Sequence, residues 1–600
     1  MMTASMPDLR ELSHKLDRLH MAIARRVRAH RHDLASVAPE FRRDAHNVIA
    51  YMTLVGRRDR ELRRLCDRHA LALPSAAPAQ ILETLSLLRA SIRTMTGDIR
   101  KVSGEARRPV RRGGGIGKRT DLLFGQRRRG CAVHIMVTLP DDAATNEAKL
   151  RELLRGGMSV ARINCAQLNR ACWKAMIRNV RRASRETGIA CRILMDLSGP
   201  KLRTGAMVSG PRVSRIRPRR DALGSTVAPA PVLLTASGRK STAGPEPAIP
   251  VAARWLKGLR PGMTITLIDA RGKKRSLRAG ASDRAGRLAT AGETVYLQTG
   301  TRLTYRDKRG QFRRAKVGTL PPVEVRIPLR RGDALRIHRE QAAGEPAGID
   351  GSGRRRVHAH ISCTLPQVFR RVRPGQKVVF DNGVIEGIVE KAGRAAFLVR
   401  ITYTAGSSAS LRADKGINLP QTNVALRGLT PKDRDDLRFA SRHADLVSLS
   451  FVRSSQDVLM LQEAIRRLRG KKPGVVIKIE TAHAVGQLTR ILLVAMRYPR
   501  SGIMMARGDL AVEYGWERLA GLEQVMLGMC RAAGIPFAIA TEILDAMARR
   551  GLPTRAEITD AFVAADAQCI LLNKGAHIVP AVRLLRRIIR ARSAHADNGI

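Results

Sequence analysis

Aromatic side chains are scarce, at 3% of 600 residues. A surface that reads single-stranded nucleic acid by base stacking needs such rings, so that class is disfavoured. Long apolar runs are absent: none approaches the roughly 18 residues that cross a bilayer. The first residues, with Pro7, Asp8 and Glu11, lack the apolar stretch of a secretion signal, and a cytoplasmic location is expected. The eight cysteines (Cys66, Cys131, Cys165, Cys172, Cys191, Cys363, Cys530 and Cys569) form no C-x-x-C pair and no zinc spacing. That is the usage of a reducing compartment. Acidic residues are also few, 51 against 109 Lys and Arg, giving a formal charge of +58. Such a charge fits nucleic-acid or anionic-membrane binding through counterion release. The basic residues run through every region and gather in no tail, which favours guanidinium groups spread over solvated surfaces.

What is present divides the chain. In residues 1–100, Leu9, Leu12, Leu16, Leu19 and Ile23 recur at three- and four-residue steps. They form one stripe of a helix. Further periodic stretches cover Val48–Leu54 and Ile81–Ile92. An intramolecular helical bundle is expected rather than a coiled coil, which needs more heptads. Residues 101–131 read as a basic, Gly-rich linker. Its Gly113–Thr120 segment fails as a phosphate loop, because Arg112 and Arg119 stand where Gly and Ser or Thr are required.

From His134 onward short apolar runs alternate with amphipathic helices. The runs are His134–Leu139, Val160–Asn164, Arg192–Leu197, Leu446–Phe451, Val475–Glu480, Gly502–Ala506, Phe537–Thr541 and Gln568–Leu572. Eight such units predict a closed (β/α)₈ barrel, in two parts, 132–205 and 413–595. Residues 206–412 between them read as an inserted β domain. Leu259-Arg260-Pro261-Gly262-Met263-Thr264-Ile265 recurs there as Val372-Arg373-Pro374-Gly375-Gln376-Lys377-Val378, which points to a duplicated β unit.

Active sites of such barrels lie at the C-terminal strand ends. Run two ends in Arg162-Ile163-Asn164 and run three in Asp196-Leu197. Run five holds Lys478-Ile479-Glu480, run six precedes Arg507-Gly508-Asp509, and run seven ends in Thr541, followed by Glu542. Charges on five strand ends are costly unless paired or metal-bound. Two carboxylates, Glu480 and Asp509, suit a hard cation that keeps waters and meets substrate oxygens. Arg162 and Arg203 suit phosphate or carboxylate forks. Lys478, two residues from Glu480, shares its face of the strand. There it can neutralise a phosphoryl group in transfer.

Val160–Asn164, Met195–Gly205, Lys415–Pro420, Ile477–Glu480, Met504–Leu510 and Pro553–Glu557 resemble, in order, the motifs of pyruvate kinases. The resemblance covers about residues 132–595 and includes the β lid after the third strand. It implies phosphoryl transfer between phosphoenolpyruvate and ADP, giving pyruvate and ATP, within glycolysis. Glu480 and Asp509 would hold Mg²⁺ or Mn²⁺, and Lys478 would stabilise the phosphoryl group. Gly508, Asp509 and Thr541 would bind the substrate carboxylate, with Thr541 near the proton delivered to the enolate. Arg162 and Arg203 would contact phosphates. A homo-oligomer is expected, and nucleic acid is not the favoured partner.

The chain departs from that pattern. Ala166 replaces a Ser ligand of the family's K⁺ site, leaving Asn164, Asp196 and the Leu197 carbonyl. Lys201 stands where Glu is frequent, and K⁺ is not expected to be required. Asn573-Lys574-Gly575-Ala576-His577 replaces Ser-Gly-Glu-Thr, and Glu542 stands where Gln is usual. The family's C-terminal regulatory domain is not expected. The alternatives are a related metal-enolate barrel acting on another substrate, and a retired barrel that binds RNA or other polyanions.

Overall fold

The computed structural model describes residues 6–57, 59–69, 71, 78–96, 115–128, 130–238, 246–282, 286–349, 355–422, 424 and 428–597. It divides into two compact units. One comprises residues 1–202, 365–393 and 416–600; the other comprises 203–364 and 394–415.

In the first unit eight parallel strands close into a barrel. They are β1 (His134–Thr138), β2 (Met158–Asn164), β3 (Arg192–Leu197), β4 (Leu446–Val452), β5 (Gly474–Ile479), β6 (Ser501–Ala506), β7 (Phe537–Ala540) and β8 (Cys569–Leu572). β8 closes on β1 through the register His134↔Cys569. The expected barrel is therefore present, each run within a residue or two of its strand. Alternation sorts the side chains. Met136, Val160, Leu194, Leu446, Val476, Met504, Ala538 and Leu571 fill the interior as one buried cluster. The intervening residues, such as Ile135, Ile193 and Ile477, pack outward under the helices.

Three long N-terminal helices, α1 (Met6–Ala29), α2 (Arg42–Arg57) and α3 (Ile81–Met95), pack together through the predicted Leu9–Ile23 stripe. α4 (Gly115–Phe124) lies inside the stretch read as linker. Its last turn explains it. Leu123 and Phe124 are fully buried and join the barrel-interior cluster. A Cβ on Gly474 or Gly502, at the starts of β5 and β6, would fall 2.8 and 2.6 Å from Leu123. Those two glycines make room for the plug. Arg119 of α4 donates to Glu40 O and Gly534 O, pairs with Asp44 and lies over the Phe41 ring, tying helices to barrel.

The second unit is built of β-sheet. Ala230–Ala236 pairs parallel with Ala248–Val251 and antiparallel with Arg287–Ala291. Thr264–Ile268 pairs antiparallel with Lys274–Ser282 and Arg302–Arg306, and Val213–Ile216 pairs with Val295–Gln298. The pattern recurs later in the chain. Ala334–His338 pairs parallel with Ala359–Ser362 and antiparallel with Ala396–Thr404. Ile327–Leu329 pairs with Ala409–Leu411; Lys377–Phe380, which pairs antiparallel with Ile385–Ala392 and Ile417–Asn418, falls by its residues in the first unit. Gly262 and Gly375 turn the two Arg-Pro-Gly corners with the same φ of 84°.

Candidate active site

The site residues follow from strand periodicity. Two residues beyond each apolar interior side chain, the inward position at the strand's C-terminal end is polar: Met136 leads to Thr138, Val160 to Arg162, Leu194 to Asp196, Leu446 to Ser448 and Ser450, and Val476 to Lys478. Asp196 sits at the centre. Its Oδ1 accepts from Ser448 Oγ (2.6 Å) and Ser450 Oγ (3.1 Å). Its Oδ2 accepts from Arg162 Nε (2.9 Å) and Lys478 Nζ (3.2 Å). Arg162 also donates to Thr138 Oγ1. Burial alone would raise the Asp196 carboxyl, but Lys478 and Arg162 hold it well below the usual carboxylate range.

Lys478 is 7% exposed. Burial alone would push its pKa down, but Asp196 and Glu480 outweigh it and raise it, so the ammonium stays charged. Its Nζ lies 2.9 Å from Glu480 Oε1 and 2.8 Å from Ser450 Oγ. Glu480 Oε2 accepts from the Phe451 N–H. Phe451 has φ of 56°, a left-handed conformation that aims its amide at the carboxylate.

The second half of the site follows β6. Asp509 lies in the first turn of α5 (Arg507–Tyr514), and its two oxygens accept from Lys201 Nζ at 2.8 and 3.1 Å. The Gly508 N–H donates to Thr541 Oγ1 at 2.7 Å. Thr541, Glu542 and Leu544 all have positive φ, 70°, 63° and 48°. Each such non-glycine residue costs about 1–3 kcal/mol and persists only where its surroundings fix it. Arg507 does the fixing. It donates to Thr541 O through Nε and Nη2 and is clamped by Asp560 and Glu523. Burial raises the Glu542 carboxyl, with Arg507 opposing it.

The donor set suits the expected cation. Glu480 and Asp509 follow paired strands, β5 and β6. No group of three His, Cys, Asp or Glu that could hold a metal is present among the described residues. Two carboxylate ligands are what a cation that keeps waters and substrate oxygens requires. Around the expected K⁺ position, Asp196 is already engaged by two hydroxyls and two cationic groups, and Asn164 Oδ1 accepts the Ala166 N–H. Leu197 is fully buried on β3. Arg203 lies in the second unit, where its guanidinium donates to Asp414 O and its N–H to Thr364 Oγ1. Lys574 Nζ donates to Gln167 Oε1 at 3.0 Å. Ser448, Ser450 and the clamping role of Arg507 were missed from sequence. Their signal was two hydroxyls at alternate positions of an apolar strand, and a buried arginine beside Gly508.

The family model for the pyruvate kinase barrel domain matches residues 131–225 and 314–577. The chain belongs to the pyruvate kinase family. It is 35% identical over 234 residues to pyruvate kinase PKLR of Rattus norvegicus, covering 38% of this chain and 39% of that protein. It is 33% identical over 235 residues to pyruvate kinase of Geobacillus stearothermophilus, covering 39% and 37%. The chain thus spans about two fifths of the length of these relatives. A crystal structure of a pyruvate kinase from Cryptosporidium parvum shares the fold, with TM-score 0.52 and 20% identity over 79% of this chain and 72% of that one. Residues 226–313, which hold most of the first set of lid strands, lie outside the family match. Among the described residues no helix is long and apolar enough to cross a membrane.

Proposed function

We infer that this chain transfers a phosphoryl group between phosphoenolpyruvate and ADP. The observation that carries this reading is the buried Lys478, held charged between Asp196 and Glu480, with the Gly508–Asp509–Thr541 corner beside it. Glu480 and Asp509 would hold Mg²⁺ or Mn²⁺, which supplies charge neutralisation for substrate oxygens. The chain's own residues do the rest. Lys478 offers a fixed ammonium to the phosphoryl oxygens as charge spreads over them. Asp196 and Ser450 hold it without taking its proton, and Ser448 holds Asp196. The strained Thr541 presents its hydroxyl near the substrate carboxylate and the carbon that gains a proton. Arg162 holds Asp196 and keeps guanidinium N–H groups for a phosphate.

Lys201 does a second job. Its ammonium on Asp509 supplies fixed positive charge beside the substrate, so a bound K⁺ is not required. The test is a coupled assay with phosphoenolpyruvate, ADP and Mg²⁺ on wild type and Lys478→Met. The wild type should form pyruvate, and the variant should lose on the order of a hundredfold or more in kcat. Absence of pyruvate at every Mg²⁺ and Mn²⁺ concentration would sink the kinase reading.

A further inference from the structure

The sheet formed by Thr264–Ile268, Lys274–Ser282, Arg302–Arg306 and Phe312–Lys316 has one face in a core and one in water. Ile265, Leu267, Leu277, Ala279, Leu303 and Tyr305 fill the buried face. Register places the opposite set side by side: Arg302 beside Lys316, Thr304 beside Arg314, Thr266 beside Ser276, Ile268 beside Lys274, and Thr264 beside Arg278. Arg306 joins them, its guanidinium over the exposed Phe312 ring. The face carries six cations, and the four strands contain no Asp or Glu.

An Arg-rich composition alone would not sort charge this way. Arg275 and Arg313 of the same strands find carboxylates, Glu293 at 2.7 Å and Asp307 at 2.8 Å. The matching hairpin, Lys377–Phe380 with Ile385–Ala392, has Glu386 where this one has Ser276, and Lys377 pairs with it at 2.8 Å. None of the six face cations pairs with a carboxylate among the described residues. Natural sheets avoid unrelieved like charge on neighbouring strands, where it destabilises. Its retention calls for an anionic partner.

We propose that this face binds the phosphate backbone of double-stranded nucleic acid. Four strands spaced about 4.8 Å apart spread the cations over roughly 15 Å, the scale of a duplex backbone. Guanidinium, ammonium and hydroxyl groups are the usual phosphate donors. One exposed ring is too little for a stacked single strand. Phe312 and Ile268 are too few to seat the sheet in a membrane. Lys274, Arg278, Arg302 and Arg306 lie outside the family match, which resumes at residue 314, and all six cations belong to the unit without the barrel strands, so this function is separable from the barrel chemistry.

The test measures binding of a labelled duplex of about 20 base pairs to the full chain between about 50 and 200 mM salt. One variant combines Arg278→Ser, Arg302→Ser, Arg314→Ser and Lys316→Ser. A charge-matched control combines Lys174→Ser, Arg178→Ser, Arg434→Ser and Arg469→Ser. The face variant should lose at least about tenfold in affinity, and its log–log salt slope should fall by roughly 0.9 for each contact removed. The control should stay within about threefold. Arg278→Lys, Arg302→Lys and Arg314→Lys together, with Lys316 kept, should keep binding, which separates lost charge from lost fold. Equal losses in face variant and control would overturn the proposal. So would no binding by wild type at the lowest salt, or capture by phosphatidylglycerol vesicles without capture of the duplex.

Discussion

In the proposed reaction, ion dependence turns on Lys201. Its Nζ reaches both oxygens of Asp509, while the Asp196 oxygens are already taken by Ser448, Ser450, Arg162 and Lys478. Wild type should therefore gain less than about twofold in rate when K⁺ is added to a K⁺-free assay, because a fixed ammonium already supplies the charge. Lys201→Glu should lower the K⁺-free rate on the order of tenfold or more. A large K⁺ stimulation of wild type would refute this. A second residue-scale effect lies at the other end of the barrel. His134 is buried, its Nδ1 on Ser159 Oγ. Burial pushes its pKa down to about 4 from an ordinary 6.5. The unfolded chain takes up a proton in that interval that the folded chain refuses. The stabilisation is thus complete above pH 6.5 and lost as pH falls toward 4, by about 3 kcal/mol. Urea midpoints of wild type should drop across this window, and His134→Gln should flatten the drop.

Elements were legible where one rule acted alone. The eight barrel strands stood out because apolar runs between amphipathic helices have few other solutions. The Leu9–Ile23 stripe gave the first helix because its five leucine and isoleucine positions share one face. Lys478, Glu480 and Asp509 could be chosen because charge at a strand end has no packing use. Helix α4 was not legible: its Gly-rich start and basic residues read as linker, and only Leu123 and Phe124, entering the barrel, stabilise it. The serines of β4 were hidden because hydroxyls are unremarkable in a strand until Asp196 faces them. The strain at Thr541 and Glu542 has no sequence signature, since neither residue type favours positive φ. The pairing around the two Arg-Pro-Gly corners lay beyond what a seven-residue match could specify.

At the scale of the molecule, the N-terminal helices and the barrel share one core. Phe41, Val48, Ile49 and Leu85 belong to the same buried cluster as Met526, Leu492 and Ile539. Asn47 Nδ2 donates to Ala532 O of the helix Trp516–Ala532, and Tyr51 packs so closely on Gly528 of that helix that a Cβ there would clash with its hydroxyl. A bundle on its own core would melt separately; one sharing a core unfolds with its neighbour. Phe41→Ala tests this. Phe41 is fully buried beneath Arg119, and its removal should cost about 3–5 kcal/mol. Trp173 and Trp516 report on the barrel, and Trp255→Phe silences the tryptophan of the other unit. In that background Phe41→Ala should lower the denaturant midpoint read by barrel fluorescence as much as that read by helical circular dichroism. If the fluorescence midpoint stayed put while part of the helical signal melted early, the bundle would be an independent folding unit and the shared core would contribute nothing to the barrel.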